Sequence, residues 1–372
     1  MKTSVYFLCC LAILATAAPS ISQDSLQIQQ VIDRTRIEFC PEPRLNLFNV
    51  HMRFGNEIVL VGETSIPSAH DSLIARLKQI SALPLIDRVR VLPDSAIGER
   101  SHGIIQISTT NMRRKPSVAA EIINQGIMGE TVRILDHKSF FYLIQLADGY
   151  LGWAITDGIL PMTAEELSAW EKKSKSIFIK NCGSAYSNPS PDSYPVCDLV
   201  RGAVFVRLAE ASEWTEIEVL GNRRAFVPAT GVIDLQAFQE QSKADPQKLV
   251  HTASQFLGIP YYWGGRSTKG FDCSGFTHTV FRLNGITLPR DANMQVEVGF
   301  DVAIDSSYNN LLPGDLLFFG RTADRITHVG MYIGDKRFIH SDGFVRCNSF
   351  DPNACNFSDY RVVSLQRVKR IL

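Results

Sequence analysis

The sequence predicts an α+β protein of several domains: a small N-terminal α+β unit, two small β-barrels, and a C-terminal domain in which helices precede strands. Three observations carry this expectation. At 372 residues the chain is long enough for two or three domains. Between residues 101 and 234, short apolar segments recur at close spacing, broken by Gly, Asp and Pro, as in small barrels. Beyond about residue 246, two amphipathic helices are followed by apolar segments of strand length.

The N-terminus comes first. Lys2 precedes the apolar run "VYFLCCLAILATAA", Val5 to Ala18, which closes on small residues at Ala15-Thr16-Ala17. The run is short for a membrane span, and its small-residue end fits a leader-peptidase site. Residues 1–22 are therefore expected to be a secretory signal peptide, and the mature chain to be exported, periplasmic or secreted. Phe7 and Leu8 ahead of Cys9 and Cys10 fit a lipoprotein cleavage site poorly, so lipidation is the minor expectation.

Residues 23–100 form the small α+β unit. "LFNVHMRF" and "EIVLVGET" read as strands joined at Gly55-Asn56, and "DRVRVLP" as a third. Between them, "SAHDSLIARLKQI" places Leu73, Ile74, Leu77 and Ile80 at helical spacing. The unit loosely resembles the BON-type modules of bacterial envelope proteins, and its expected role is scaffold.

Residues 101–163 are read as the first barrel, and 164–240 as a connector helix, "TAEELSAWEKK", with a second, diverged barrel. "TNMRRKPS", "GETVRIL" and "DGYLGWA" resemble a bacterial SH3 domain. Repetition at barrel size means duplication of a domain, not a solenoid. Residues 241–372 are the C-terminal domain. "PQKLVHTASQFLG" reads as a helix ending at Gly258, and "DCSGFTHTVFRLNG" as a second ending at Gly285. "GDLLFFG", "THVGMYIG", "KRFIHSDG" and "YRVVSLQRV" read as four strands.

Composition narrows the function. Lys plus Arg equals Asp plus Glu, 38 each, and no like-charge run stands out. A nucleic-acid binder would carry a basic excess. Six cysteines lie beyond the leader. Cys182 and Cys197 flank a Pro-rich loop, and Cys347 and Cys355 flank "NSFDPNA". Both are candidate local disulfides in an exported protein, with connectivity open. No spacing makes a zinc site.

Cys273 stands apart. It opens a predicted helix, between Asp272 and Ser274-Gly275, after the Gly-rich run "YYWGGRSTKG". The helix dipole should lower its pKa. A nucleophilic thiol needs a base, and two of the chain's eight histidines, His328 and His340, lie on adjacent predicted strands. His328 would take the thiol proton, and His340 would hold the other nitrogen of His328. Both must then face the same side of their hairpin. A two-residue loop at Gly334-Asp335 would put them on opposite faces. A three-residue loop or a bulge near Ile333–Lys336, pairing 328 with 340, is therefore expected.

On these residues the C-terminal region resembles an NlpC-type cysteine peptidase, a papain-like family that cuts cell-wall peptides. "PYYWGG…GFDCSGF", "LPRDA", "LLPGDLLFF", "THVGMYIG" and "RFIHSDG" match its motifs in order. With SH3-like domains ahead, the mature chain resembles the dipeptidyl-peptidase VI subgroup, which cleaves γ-D-glutamyl bonds in peptides with a free N-terminal L-alanine. The resemblance implies Cys273 as nucleophile, His328 as base and His340 as orienter. It implies Tyr261 as an oxyanion donor, with the Cys273 backbone N–H beside it. Trp263, Asp272, Ser274 and Asp291 match substrate-contacting positions, Asp272 being equally suited to cap the helix. Glu121 and Tyr150 match the acid and phenol that receive the substrate amine. One departure is Ala292, where the subgroup often has serine.

The expectation is thus a monomeric γ-D-glutamyl-L-diamino acid endopeptidase acting on murein peptides, with no cofactor, no nucleic-acid partner and no stable membrane insertion. The alternatives are a lytic endopeptidase of intact wall, a non-catalytic wall-binding SH3 protein, and a transacylase using the same nucleophile.

Overall fold

The computed structural model describes residues 23–219, 221–242 and 245–372. The expected leader lies outside them. No helix among the described residues is long and apolar enough to cross a membrane. The chain divides into two compact units. The first holds the residues up to Pro43 together with Leu47–Val91, and the second holds Arg44–Asn46 with Leu92–Leu372.

In the first unit, strands Phe48–Phe54 and Ile58–Thr64 pair antiparallel, and Leu85–Val91 adds parallel to the second of them. A parallel partner needs a crossover, which the helix Pro67–Ile80 supplies. Its Leu73 and Leu77 are buried with Ile28 and Ile32 of a further helix, Gln23–Phe39. That first helix escaped the sequence reading. Its buried residues form only a sparse stripe in a polar segment.

The second unit contains two seven-stranded sheets and the C-terminal domain. The first sheet runs from His102–Ile105 to Ile159–Met162, with Ile105, Met112, Ile134, Ile144 and Tyr150 in its core. The connector helix Ala164–Glu171 starts on a capping box, in which Thr163 and Glu166 satisfy each other's backbone N–H. The second sheet spans Lys175–Phe178 to Val232–Asp234, around Phe178, Leu199, Phe205 and Ile217.

In the C-terminal domain, the helices Pro246–Ser254 and Cys273–Arg282 are capped by the Asp245 and Asp272 side chains. A six-stranded sheet follows, with Leu316–Gly320, Ile326–Gly334, Arg337–Asp342 and Phe344–Ser349 adjacent in order. One face packs Phe318, Val329, Met331 and Ile339 beneath Phe271, Phe276 and Phe281. The expected fourth strand is corrected here. "YRVVSLQRV" begins as the helix Asp359–Ser364 and becomes a strand only at Leu365–Arg370. The strand after His340 is instead Phe344–Ser349, in which only Val345 and Cys347 alternate with polar Arg346 and Asn348, too short an apolar pattern to stand out in the sequence.

All six described cysteines are free thiols. Cys182 lies opposite Val200, and Cys197 opposite Ala185, three positions along the same strand pair. Alternation therefore sends the two thiols to opposite faces of the sheet. Cys347 packs against the core, whereas Cys355 is exposed.

Candidate active site

Two concavities stand out in the second unit. The larger, about 360 Å³, lies between the two sheets, with Ile104, Met128, Leu160, Trp170 and Phe205 in its walls. It gathers no nucleophile beside a base. The smaller, about 310 Å³, contains Cys273 and His328 together with Tyr261, Trp263, Tyr150 and Asp291. The chemistry belongs to the smaller one.

Its floor is built by a loop folded back on the nucleophile helix. A Cβ on Gly275 would sit 2.0 Å from the Gly265 carbonyl oxygen, so only glycine allows that approach. Asp272 holds the junction. Its carboxylate accepts from Gly275 N–H at 2.6 Å, Gly264 N–H at 3.0 Å and the Ser274 hydroxyl at 3.3 Å. It also takes both terminal nitrogens of Arg290, at 3.0 and 2.6 Å. A carboxylate offers about four lone-pair sites. Asp272 is thereby committed to capping and to Arg290, and Ser274 also accepts from Arg290 at 3.0 Å. Both residues border the cleft, with their polar atoms already engaged.

The thiol differs from expectation. Burial pushes the Cys273 pKa up to about 12, and the neighbouring Asp272 carboxylate adds to the rise. The Val329 and Ser274 backbone N–H groups act in the opposite direction but do not prevail. Desolvation of a buried thiolate outweighs the helix dipole. These effects favour the neutral thiol at Cys273. Burial also holds His328 well below its ordinary range, and Arg361 and His340 reinforce this. Both shifts favour the neutral forms of the pair.

The two histidines meet. The hairpin turns at Asp335-Lys336, both at positive φ, with Gly334 paired to Arg337. Left regular, that turn would put the histidines on opposite faces. A bulge between Tyr332 and Gly334 shifts the register by one and restores a common face. The expected bulge is present, but the register is not the expected pairing of 328 with 340. It brings Gly330 opposite His340, where an added Cβ would lie 3.1 Å from the His340 Cβ. His328 is diagonal to His340, and its Nε2 lies 2.8 Å from His340 Nδ1.

A further residue, unread in the sequence, fixes the proton positions. His340 Nε2 lies 2.8 Å from Asn348 Oδ1, and Asn348 Nδ2 donates to the Asn356 carbonyl at 2.9 Å. That carbonyl can only accept, so the Asn348 amide presents oxygen to His340. His340 Nε2 then carries the hydrogen, and its Nδ1 accepts from His328 Nε2–H. His328 Nδ1 is left as a bare lone pair, the form a general base needs. Burial lowers the His340 pKa to about 4.

The first barrel walls the cleft. Tyr150, buried, donates its hydroxyl to Asp291 Oδ2 at 3.0 Å. Glu121 accepts from the Trp263 indole N–H at 3.1 Å and from Arg114 Nε at 2.7 Å. Tyr261 is half-buried, and burial together with the nearby Cys273 raises its pKa, so it stays a donor. Ala292 places a methyl group beside Asp291. Arg44 and Arg114 had no signal in the sequence. Arg44 stands 247 positions from its partner Asp291.

Residues 258–361 match the model of the NlpC/P60 family. The C-terminal domain is an NlpC/P60 domain. Residues 112–159 match the bacterial dipeptidyl-peptidase Sh3 domain. Similar proteins include a gamma-D-glutamyl-L-lysine dipeptidyl-peptidase of Bacillus cereus. It is 29% identical over 239 residues, covering 60% of this chain and 68% of that one. One of the same name from Bacillus subtilis is 43% identical over 103 residues, covering 27% of this chain and 33% of that one. Dipeptidyl-peptidase 6 of Lysinibacillus sphaericus is 24% identical over 261 residues, covering 67% and 92%. A crystal structure of an NlpC/P60 family protein from Bacillus cereus aligns with a TM-score of 0.61 at 23% identity, over 73% of this chain and all of that one. That likeness concerns the fold. Within the NlpC/P60 domain the nucleophile helix and the histidine hairpin face one cleft, and the SH3-like domain supplies Tyr150 and Glu121 to its wall.

Proposed function

We propose that this chain is an exported cysteine endopeptidase that cleaves the γ-D-glutamyl–L-diamino acid bond of murein peptides bearing a free N-terminal L-alanine. The coarser assignment, a cell-wall peptide hydrolase of the cysteine peptidase type, follows from the NlpC/P60 domain and its relatives. The observation that carries the finer one is the wall contributed by the first barrel. Tyr150 meets Asp291 at 3.0 Å in the same cleft as Cys273, so the cleft has a polar end suited to a peptide terminus.

In the proposed reaction the Cys273 sulfur attacks the γ-carbonyl carbon as its proton passes to His328 Nδ1. Because the thiol rests neutral, proton transfer accompanies attack rather than preceding it. The Tyr261 hydroxyl and the Cys273 backbone N–H receive the developing oxyanion. The His328 imidazolium then gives its proton to the leaving amine, and water, deprotonated by His328, resolves the thioester. His340 and Asn348 hold the His328 tautomer throughout. Glu121 and Asp291 take the alanine ammonium, whose burial without a partner would be costly.

The test compares kcat/KM on L-Ala-γ-D-Glu-diamino acid with its N-acetyl form, using Cys273→Ala as the inactive control. Acetylation removes the charge that Glu121 and Asp291 would bind. The expected loss is roughly 10²-fold or more, about 2.7 kcal/mol. Equal rates would refute the closed-end reading and favour a lytic endopeptidase of intact wall.

A further inference from the structure

We propose that Arg44 is a specificity-determining residue that reads the free α-carboxylate of the γ-linked D-glutamate, so that the protein discriminates against peptides whose second residue is amidated. This rests on the reading of the cleft as a peptide-end site. It goes beyond it by naming a contact that none of the matched motifs contains.

Four observations lead there. Arg44 belongs to a three-residue strap, Arg44–Asn46, that lies with the second unit. The strap is fastened to the first barrel. The Leu151 N–H donates to the Arg44 carbonyl at 2.8 Å, Gln145 Nε2 donates to the Leu45 carbonyl at 2.8 Å, and the Leu45 side chain packs against the barrel core. The guanidinium is thereby held at the cleft wall, where Nη1 donates to Asp291 Oδ2 at 2.7 Å and to Asn293 Oδ1 at 2.8 Å.

Second, the charges at this end already balance. Asp291 faces Arg44 and Glu121 faces Arg114, each at 2.7 Å. An ammonium arriving alone would leave one positive charge unmatched. A dipolar group, with an ammonium and a carboxylate close together, keeps the site neutral. L-Ala-γ-D-Glu is such a group, because the γ-linkage leaves its α-carboxylate ionised.

Third, the residue between Asp291 and Asn293 is Ala292, whose methyl group cannot hydrogen-bond a carboxylate. Fourth, the other arginines here are engaged: Arg114, in the cleft wall, gives its Nε to Glu121, and the arginine beneath the cleft is spent. Arg290 is buried, with its nitrogens on Asp272, Ser274 and Asn124. Arg44 sits on the Asp291 side of the cleft, where the acyl part of the substrate would lie, and its planar fork suits a carboxylate.

The test measures kcat/KM for the tripeptide L-Ala-γ-D-Glu-L-Lys and for its α-carboxamide, in wild type, Arg44→Gln and Arg44→Lys. Wild type should prefer the acid by roughly 10- to 100-fold. Arg44→Gln should collapse that ratio to within about threefold, and Arg44→Lys should keep an intermediate value. A wild type that cleaves acid and amide equally would overturn the proposal without any variant. So would an Arg44→Gln protein that loses both peptides in the same proportion, since that marks Arg44 as a structural partner of Asp291 only. If wild type cleaved neither peptide, the proposed reaction would fall. The Arg44 proposal would still be decided by calorimetry on Cys273→Ala protein, with L-Ala-γ-D-Glu expected to bind more tightly than its carboxamide and equal binding overturning it.

Discussion

Replacing Asn348 by leucine tests the proton chain behind the nucleophile. Leucine keeps the branched shape, is bulkier, and leaves no room for a water to take over the lost acceptor. In the native site His340 Nε2–H points at Asn348 Oδ1, 2.8 Å away, in a ring with no solvent exposure. Without that oxygen, a hydrogen on Nε2 is a buried unpaired donor, which costs about 1–3 kcal/mol. His340 escapes the cost by moving the hydrogen to Nδ1. It then donates to His328 Nε2, and the His328 proton is forced onto Nδ1, the nitrogen that should receive the thiol proton. The productive tautomer pair is disfavoured by the same amount. Its population, and with it kcat, should fall by roughly 5- to 150-fold. KM should stay close to wild type, because Asn348 lies behind His340 and outside the cleft-lining residues. Steady-state kinetics on the free tripeptide reads the split. Nitrogen NMR of labelled histidine reads the tautomers directly, with His340 changing from Nε2–H to Nδ1–H. A folded Asn348→Leu protein with unchanged kcat, or with its loss confined to KM, would show that something else sets the tautomer.

Further outcomes follow from the same geometry. Because burial holds the Cys273 thiol at about 12, alkylation by iodoacetamide should rise close to tenfold per pH unit from 7 to 10; a plateau below pH 8 would mean a preformed thiolate. Gly330→Ala should set a methyl 3.1 Å from the His340 Cβ, lengthen the 2.8 Å histidine contact and lower kcat, at a stability cost of about 1–3 kcal/mol; wild-type kinetics would show that the hairpin absorbs the methyl. Both histidines bind protons more weakly folded than unfolded. Their contribution to stability is therefore full above the unfolded value near 6.5 and is lost as pH falls through the folded value, about 4 for His340. Tm should decline over that window, and His340→Gln should flatten the decline.

What the sequence made legible was local. Cys273 at a helix start, capped by Asp272 and followed by Gly275, is a signal within four residues, and the helix formed as read. The histidine pair was half legible. Parity demanded an irregular hairpin, and the bulge is there, but its register sets Gly330 rather than His328 opposite His340. The thiol pKa was misread for a physical reason. The helix dipole can be inferred from position, whereas the burial that outweighs it depends on loops folding over from elsewhere. Cys182 and Cys197 illustrate the same limit. Closeness in sequence suggested a bridge, and strand register places the thiols on opposite faces. Arg44 and Asn348 were unreadable, since neither stands in a periodic pattern or a recognisable spacing.

On the proposed function, the first barrel is part of the active site and not a tethered wall anchor. Its strand Ile122–Ile127 is bonded into the loop that shapes the nucleophile. Gln125 Oε1 accepts from the Arg266 backbone at 3.1 Å and the Ser267 hydroxyl at 3.0 Å, and Arg266 itself reaches the Gln125 carbonyl and Glu130. Asn124 Oδ1 accepts from Arg290 Nε at 2.8 Å, completing the set of partners that binds Arg290 to Asp272. These groups are buried, and a buried charge left without its partner costs several kcal/mol. The barrel therefore cannot swing away from the catalytic domain without stranding Arg266 and taking from Arg290 its Asn124 acceptor. The wall carrying Tyr150 and Glu121 is then as rigid as the nucleophile it faces. A rigid wall selects by exclusion. On the proposed function, a peptide end of matching charge would fit, and a strand of intact wall, continuing past the alanine into sugar, would meet Tyr150 and Asp291 where it needs an exit.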